Sequence, residues 1–293
     1  MKTRRLPALA MLAALGLSSS PSAFATGSGG QSEPAAGLHW LRAVQSPAVY
    51  LRPLTFDMGS TSEEVLSAIL RCQREPLADR CDEQTFTNET PNHTEHVAGF
   101  WMSRTEVTVA QYGRCVAVGR CGPAGFEGGA LRFQRPAFPV TLVTFDDARR
   151  YCAFRGGRLP TEAEFERAAR GAARRQYPWG QSYNAKLSNH GRLGVDTTDA
   201  NDGFSELAPV GSFPDGATPE GILDLAGNAA EWTADAFTRQ YDAPPTSDRT
   251  VRGGSFSSPA AFLRGAARAA KPPETREPTL GFRCVWQVKP VSQ

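Results

Sequence analysis

The chain has little that would direct it to nucleic acid, to a bilayer or to a histidine metal centre. Lys plus Arg number 32 against 30 Asp plus Glu, a net charge of +2. So even a balance gives no electrostatic drive toward nucleic acid or an anionic membrane surface. Beyond the N-terminus no apolar run approaches the ~20 residues of a membrane-spanning helix. Four histidines are too few for a histidine-rich metal centre. His93-x-x-His96 would suit zinc on a helix. Glu95, Val97 and Phe100 around it read as a strand, where residues three apart face opposite sides. Asp196, Asp199 and Asp202 lack EF-hand spacing. Gly253-Gly254-Ser255-Phe256-Ser257 lacks the closing glycine of a nucleophile elbow. There is no internal repeat and little room for long helices. The 28 Gly and 22 Pro cut the chain into short apolar stretches, which argues for many loops and short strands.

What is present starts with a targeting segment. Lys2, Arg4 and Arg5 form a basic start, Leu6 to Leu17 a short apolar stretch, and Ala23-Phe24-Ala25 an A-x-A cleavage site. Residues 1–25 therefore read as a signal peptide and place the protein in the periplasm or outside the cell. Arg4-Arg5 leaves the twin-arginine route open beside the general secretory one. Residues 26–46, rich at first in Gly, Ser and Ala, read as a flexible linker, and 47–290 as one domain. Export together with six cysteines favours disulfides.

Three capping boxes predict helix starts: Thr108-x-x-Gln111, Thr144-x-x-Asp147 and Thr161-x-x-Glu164. The second helix would bury Phe145, Ala148, Tyr151 and Cys152 and stop at Gly156-Gly157. The third would bury Phe165, Ala168 and Ala169 and stop at Gly171. Glu162, Glu164 and Glu166 read as cap and surface charges, with acid–base work as the alternative. Trp179, Trp232 and Trp286 read as core.

Ordered blocks then carry a resemblance. They include Phe56-Asp57-Met58-Gly59-Ser60, Glu89-Thr90-Pro91-Asn92-His93 and Thr105-Glu106-Val107-Thr108. The run from Arg158 to Glu166 (RLPTEAEFE), Asp224-Leu225-Ala226-Gly227-Asn228, Glu231-Trp232, Arg252 to Phe256 and Gly281-Phe282-Arg283-Cys284 continue it. Together they resemble the formylglycine-generating enzyme, or sulfatase-modifying factor, family. The resemblance implies an α+β fold low in regular secondary structure and related to C-type lectin-like folds. Ser62 to Glu83 looks like an insertion relative to that family.

The resemblance also implies a disulfide between Cys152 and Cys284. Proximity alone suggests Cys72 with Cys81 and Cys115 with Cys121, among the 15 connectivities that six cysteines allow. A redox-active Cys115/Cys121 pair is the alternative. Two structural calcium sites are implied as well. Asn189 and Asp202 would give side-chain oxygens, and His190 and Phe204 backbone carbonyls, at the first. Asp224, Gly227, Ala229 and Glu231 would form the second. Adaptable oxygen-bearing loops suit calcium.

Family oxidases oxidise a peptidyl cysteine with copper held by two thiolates shortly after the Gly-Gly-Ser. Here no cysteine stands between Gly254 and Cys284. Ser257 and Ser258 are hard ligands that do not replace thiolates on Cu(I), so copper is not expected. The segment from Arg252 to Arg283 is the expected ligand face, with Ser255, Phe256, Ser258, Arg264 and Arg268 as contacts for a peptide, protein or small anionic ligand. Arg252, Arg264, Arg268 and Arg283 have a second reading, as buried structural ion pairs. The function expected is a calcium-stabilised binding or accessory module. The alternative is a divergent oxidase or related exported oxidoreductase.

Overall fold

Each expected capping box opens a helix. In the computed structural model, which describes residues 47–76, 81–82, 84–192 and 200–289, Thr108, Thr144 and Thr161 all accept from the backbone N–H three residues on. The side chains of Gln111, Asp147 and Glu164 return the bond, so two free N–H groups are satisfied at each start. A fourth box, Thr61 with Glu64, opens a helix within the stretch read as an insertion. The expected signal segment and linker lie outside the described residues, as do Asp196 and Asp199.

The helices are α1 (Ser62–Cys72), α2 (Gln84–Thr87), α3 (Val109–Ala117), α4 (Phe145–Phe154) and α5 (Glu162–Arg170). The strands are β1 (Ala48–Leu51), β2 (Leu54–Met58), β3 (His93–Val97), β4 (Phe100–Ser103), β5 (Ala230–Thr238), β6 (Pro245–Arg252), β7 (Arg268–Lys271), β8 (Leu280–Gly281) and β9 (Val285–Trp286). They form three small sheets, ordered β1-β4-β9, β2-β3 and β7-β6-β5-β8. Only β5 with β8 is parallel among these pairings. The architecture is α+β with long connections, as expected. No helix among the described residues is long and apolar enough to cross a membrane.

The core gathers around Trp232 on β5, fully buried beside Phe145, with Tyr112, Tyr151 and Phe282 alongside. The α4 stripe of Phe145, Ala148, Tyr151 and Cys152 is buried as its spacing predicts. The disulfide Cys152–Cys284 joins α4 to the residue before β9. Cys72–Cys81 and Cys115–Cys121 complete the set, and no described cysteine is free. A smaller apolar cluster holds α1 through Val65, Ala68 and Ile69 against Phe86 and Ala261.

One expectation is corrected on α5. Glu162, Glu164 and Glu166 are not surface charges but lie 5%, 6% and 0% exposed. The helix is packed on nearly every side, and arginines from distant segments meet its acids. Arg158 grips Glu164, while Arg252 reaches both Glu162 and Glu166.

Candidate functional site

The face of the four-stranded sheet that carries Val251 and its partner Ala269 floors a cavity of about 300 Å³. Ala230 and Leu280, paired between β5 and β8, extend this apolar floor. The wall comes from the turn after β6. Gly254 sits there at φ +65°, and a Cβ on it would lie 2.8 Å from Leu263 and from the Phe262 carbonyl. Only glycine suits that backbone and that contact. The turn sets Ser255, Ser257 and Ser258 along the cavity. The Ser255 N–H donates to Ser258 Oγ at 3.0 Å, and the Ser255 and Ser257 hydroxyls lie 3.0 Å apart. Phe262 forms the far wall, backed by the Phe86 ring 5.2 Å away. Lys271 and Glu277, paired at 2.6 Å, stand on the remaining side.

This cavity offers hydroxyl donors and acceptors over an apolar floor. No histidine lines it, and its one lysine and one carboxylate are paired with each other. Ser255 therefore has no adjacent base to activate it as a nucleophile. Phe256 does not face the cavity. It is 5% exposed and packs against Phe133.

Sequence left two readings for the arginines, and the structure places them in ion pairs. Arg264 forks onto Glu89 at 2.9 and 2.5 Å, with both side chains buried. Arg268 reaches Glu162 at 2.8 Å and lies 4.2 Å over the Tyr241 ring. Arg252 bridges Glu162 and Glu166 at 2.8 and 2.7 Å. Arg283 holds Glu231 at 2.7 Å, both fully buried. Arg264 and Arg268 thus stand in ion pairs, the second of the two readings, while Arg268 and Arg252 also line the cavity. Burial pushes the Glu166 carboxyl up, but the Arg252 and Arg170 guanidinium groups outweigh it and hold the carboxyl below its ordinary value.

Two loops expected to bind calcium approach each other closely. A Cβ on Gly227, at φ +88°, would lie 2.0 Å from the Asn189 carbonyl. In the first loop the Asp202 carboxylate accepts from the His190 and Phe204 N–H groups at 2.7 and 2.8 Å. Asn189 is 1% exposed, and its Oδ1 has no hydrogen-bond partner. An unpartnered buried oxygen beside an ordered carboxylate fits a hard cation. In the second loop Glu231 is gripped by Arg283, and half-buried Asp224 accepts from the Gly211 N–H at 2.7 Å. Glu106, which sequence reasoning missed as a site residue, joins them there. It is fully buried, takes the Asn228 amide at 3.0 Å and hydrogen-bonds the Asp224 side chain. Burial raises the carboxyls of Glu106, Asp224 and Glu231 above their ordinary values. At Glu106 the neighbouring Asp224 and Glu231 add to the rise. Three acids face one guanidinium, so a divalent cation would balance the charge. Among the described residues no three His, Cys, Asp or Glu side chains form a metal-holding group. Backbone carbonyls, those of Gly227 and Ala229, would have to complete that shell.

Comparison with known proteins gives these features a setting. The family model of the sulfatase-modifying factor enzyme 1-like domain matches residues 54–288. The chain belongs to this family. It is 40% identical over 169 residues to the inactive C-alpha-formylglycine-generating enzyme 2 of Bos taurus, covering 55% of this chain and 54% of that one. It is 36% identical over 179 residues to the formylglycine-generating enzyme of Bos taurus, covering 55% and 47%. The chain thus spans about half the length of these relatives. The structure of PvdO from Pseudomonas aeruginosa superposes with a TM-score of 0.66 at 26% identity, over 83% of this chain and 95% of that one.

Within the family, the copper of the oxidases does not fit this cavity. Its lining holds no sulfur, and all six cysteines stand in the three disulfides. The Cys115–Cys121 pair belongs to the apolar core around Trp232. Seryl hydroxyls are poor partners for a soft ion.

Proposed function

We propose that this domain is an exported, calcium-stabilised binding or accessory module that does not form formylglycine. The observation that carries the reading is the donor set of the cavity. Ser257 and Ser258 follow the Gly-Gly-Ser where the family resemblance implies thiolates, and every cysteine is engaged in a disulfide. The ligand that suits the cavity is a polar peptide segment or a small anionic group. It would take hydrogen bonds from Ser255, Ser257 and Ser258 and lie over the apolar floor. Three disulfides accord with an oxidising compartment outside the cytosol. Calcium would be held at the first loop by Asn189 and Asp202 with the carbonyls of His190 and Phe204. At the second it would be held by Asp224 and Glu231 with the carbonyls of Gly227 and Ala229. Its contribution is structural, tying loops that lack regular secondary structure.

A second reading, an oxidoreductase acting on peptidyl cysteine or another substrate, draws on the formylglycine-generating enzyme among the relatives. One experiment separates the two. The purified protein is supplied with copper, oxygen and a cysteine peptide of the sulfatase type, and the peptide mass is followed. The expected outcome is an unchanged thiol mass. Catalytic loss of that mass over many turnovers would overturn the binding-module reading.

A further inference from the structure

One charged pair at the cavity stands apart from the ion pairs of the core. Arg252 and Arg268 line the cavity, but their guanidinium groups reach Glu162 and Glu166 on α5. They are cross-strand partners, and Val251 with Ala269 form the neighbouring rung, so the two couples face opposite sides of the sheet. Lys271, two residues beyond Ala269, shares the cavity side. Glu277 meets it from the loop that leads into β8. The Glu277 carbonyl accepts from the Leu142 N–H at 3.1 Å and the Leu280 N–H at 3.3 Å, which fixes its backbone. Thr279 Oγ1 donates to Glu277 Oε2 at 3.3 Å and orients the carboxylate. Both charged side chains stay accessible, at 34% and 35% exposure.

Neither partner is saturated. Lys271 Nζ donates to Oε1 and Oε2 at 2.6 and 2.7 Å, and an ammonium has three hydrogens, so one is left. Among the described residues Glu277 Oε1 accepts from Lys271 alone, which leaves it a lone pair. The pair nets no charge, so a lone anion meets Glu277 and a lone cation meets Lys271. A ligand carrying both charges a few bonds apart escapes both repulsions. Its carboxylate takes the remaining Lys271 hydrogen, its ammonium donates to Glu277, and the charges alternate around a ring. A volume of about 300 Å³ lies at the small end for ligand cavities, the scale of a single residue.

We propose that the cavity binds a free α-amino acid with an apolar side chain, its carboxylate on Lys271 and the seryl wall, its ammonium on Glu277. The side chain lies on the floor of Ala230, Val251, Ala269 and Leu280. The inference rests on the binding-module reading above and narrows its small ligand from an anion to a zwitterion.

The test is calorimetric titration with L-alanine, L-leucine and L-phenylalanine. At least one should bind saturably. Its N-acetyl and carboxamide derivatives, each lacking one charge, should bind about tenfold or more weakly, the worth of one charge-assisted hydrogen bond. Lys271→Met should erase the penalty for the carboxamide and keep the penalty for the acetyl group. Glu277→Gln should do the reverse. Both side chains are partly exposed, so both variants should melt close to wild type. Failure of all three amino acids to bind, capped forms that bind as tightly as free ones, or penalties that survive both substitutions would each overturn the assignment. The module reading stands or falls separately. A capped peptide that binds where free amino acids do not would keep it, and turnover of the cysteine peptide in the copper assay would remove it whatever these affinities are.

Discussion

At the residue scale the dominant feature is charge buried in pairs. Glu166 is the clearest case. Its carboxylate takes the Gly59 N–H at 2.8 Å and two guanidinium groups, those of Arg252 and Arg170. Its carboxyl titrates below the ordinary 4.5. A depressed folded value means stability that is present above pH 4.5 and lost as pH falls through the lower value. Glu166→Gln should therefore lower unfolding free energy at neutral pH by about 3 kcal/mol or more, because two buried arginines lose a partner. The gap to wild type should narrow in acid as the native carboxyl protonates. Denaturant unfolding at several pH values checks this, and a gap constant with pH would refute it. The arginines of the C-terminal segment were legible as residues but not in role. Glu89 lies 175 positions from Arg264 and Glu162 lies 90 from Arg252, so no local pattern announces the pairs.

At the element scale, local patterns are readable and long-range ones are not. The boxes at Thr108, Thr144 and Thr161 announce α3, α4 and α5 because a cap is written within four residues. The box at Thr61 and Glu64 has the same form, but it stands in a stretch that departs from the family pattern, so α1 was not anticipated. Structurally α1 is an attached element. It keeps its own apolar cluster and is pinned by Glu64 to Arg170 and to Arg174, the latter at 2.8 Å. The two kinds of disulfide should therefore behave differently. Cys152–Cys284 closes a separation of 132 residues, and its removal should cost about 4–5 kcal/mol by chain entropy. Cys72–Cys81 closes 9, and its removal should cost about 2–3 kcal/mol. The second loss should show as faster amide exchange confined to α1, because that helix can open without the Trp232 core. Paired Cys→Ser variants read by melting and hydrogen exchange test this. Exchange in α1 that stays as slow as in α4 would contradict it.

At the scale of the whole molecule, the question is what holds long loops together when helices and strands are short. Part of the answer is the disulfides and ion pairs. At the junction where the Asn189 loop, the Gly227 turn and the Ser255 turn converge, the Arg283–Glu231 and Arg252–Glu166 pairs hold only the flanks. There Asn228 binds Asn189 on one side and, through its carbonyl, the Phe256 N–H at 2.9 Å on the other. The serine wall of the cavity is thus built on the same junction as the proposed cation loops. Without a cation, Asn189 Oδ1 is a buried oxygen with no partner, a cost on the order of 1–3 kcal/mol. A bound ion removes that cost and adds linkage stabilisation, about 2.7 kcal/mol per site at a hundredfold excess over Kd. Chelator should therefore lower the melting midpoint, and calcium should restore it. Magnesium should do so poorly, since it demands a tighter octahedral shell and dehydrates reluctantly. Asn189→Ala should melt lower in calcium than wild type and respond less to chelator. A midpoint indifferent to chelator would mean that the loops stand without metal and that the unpartnered oxygen is met in another way.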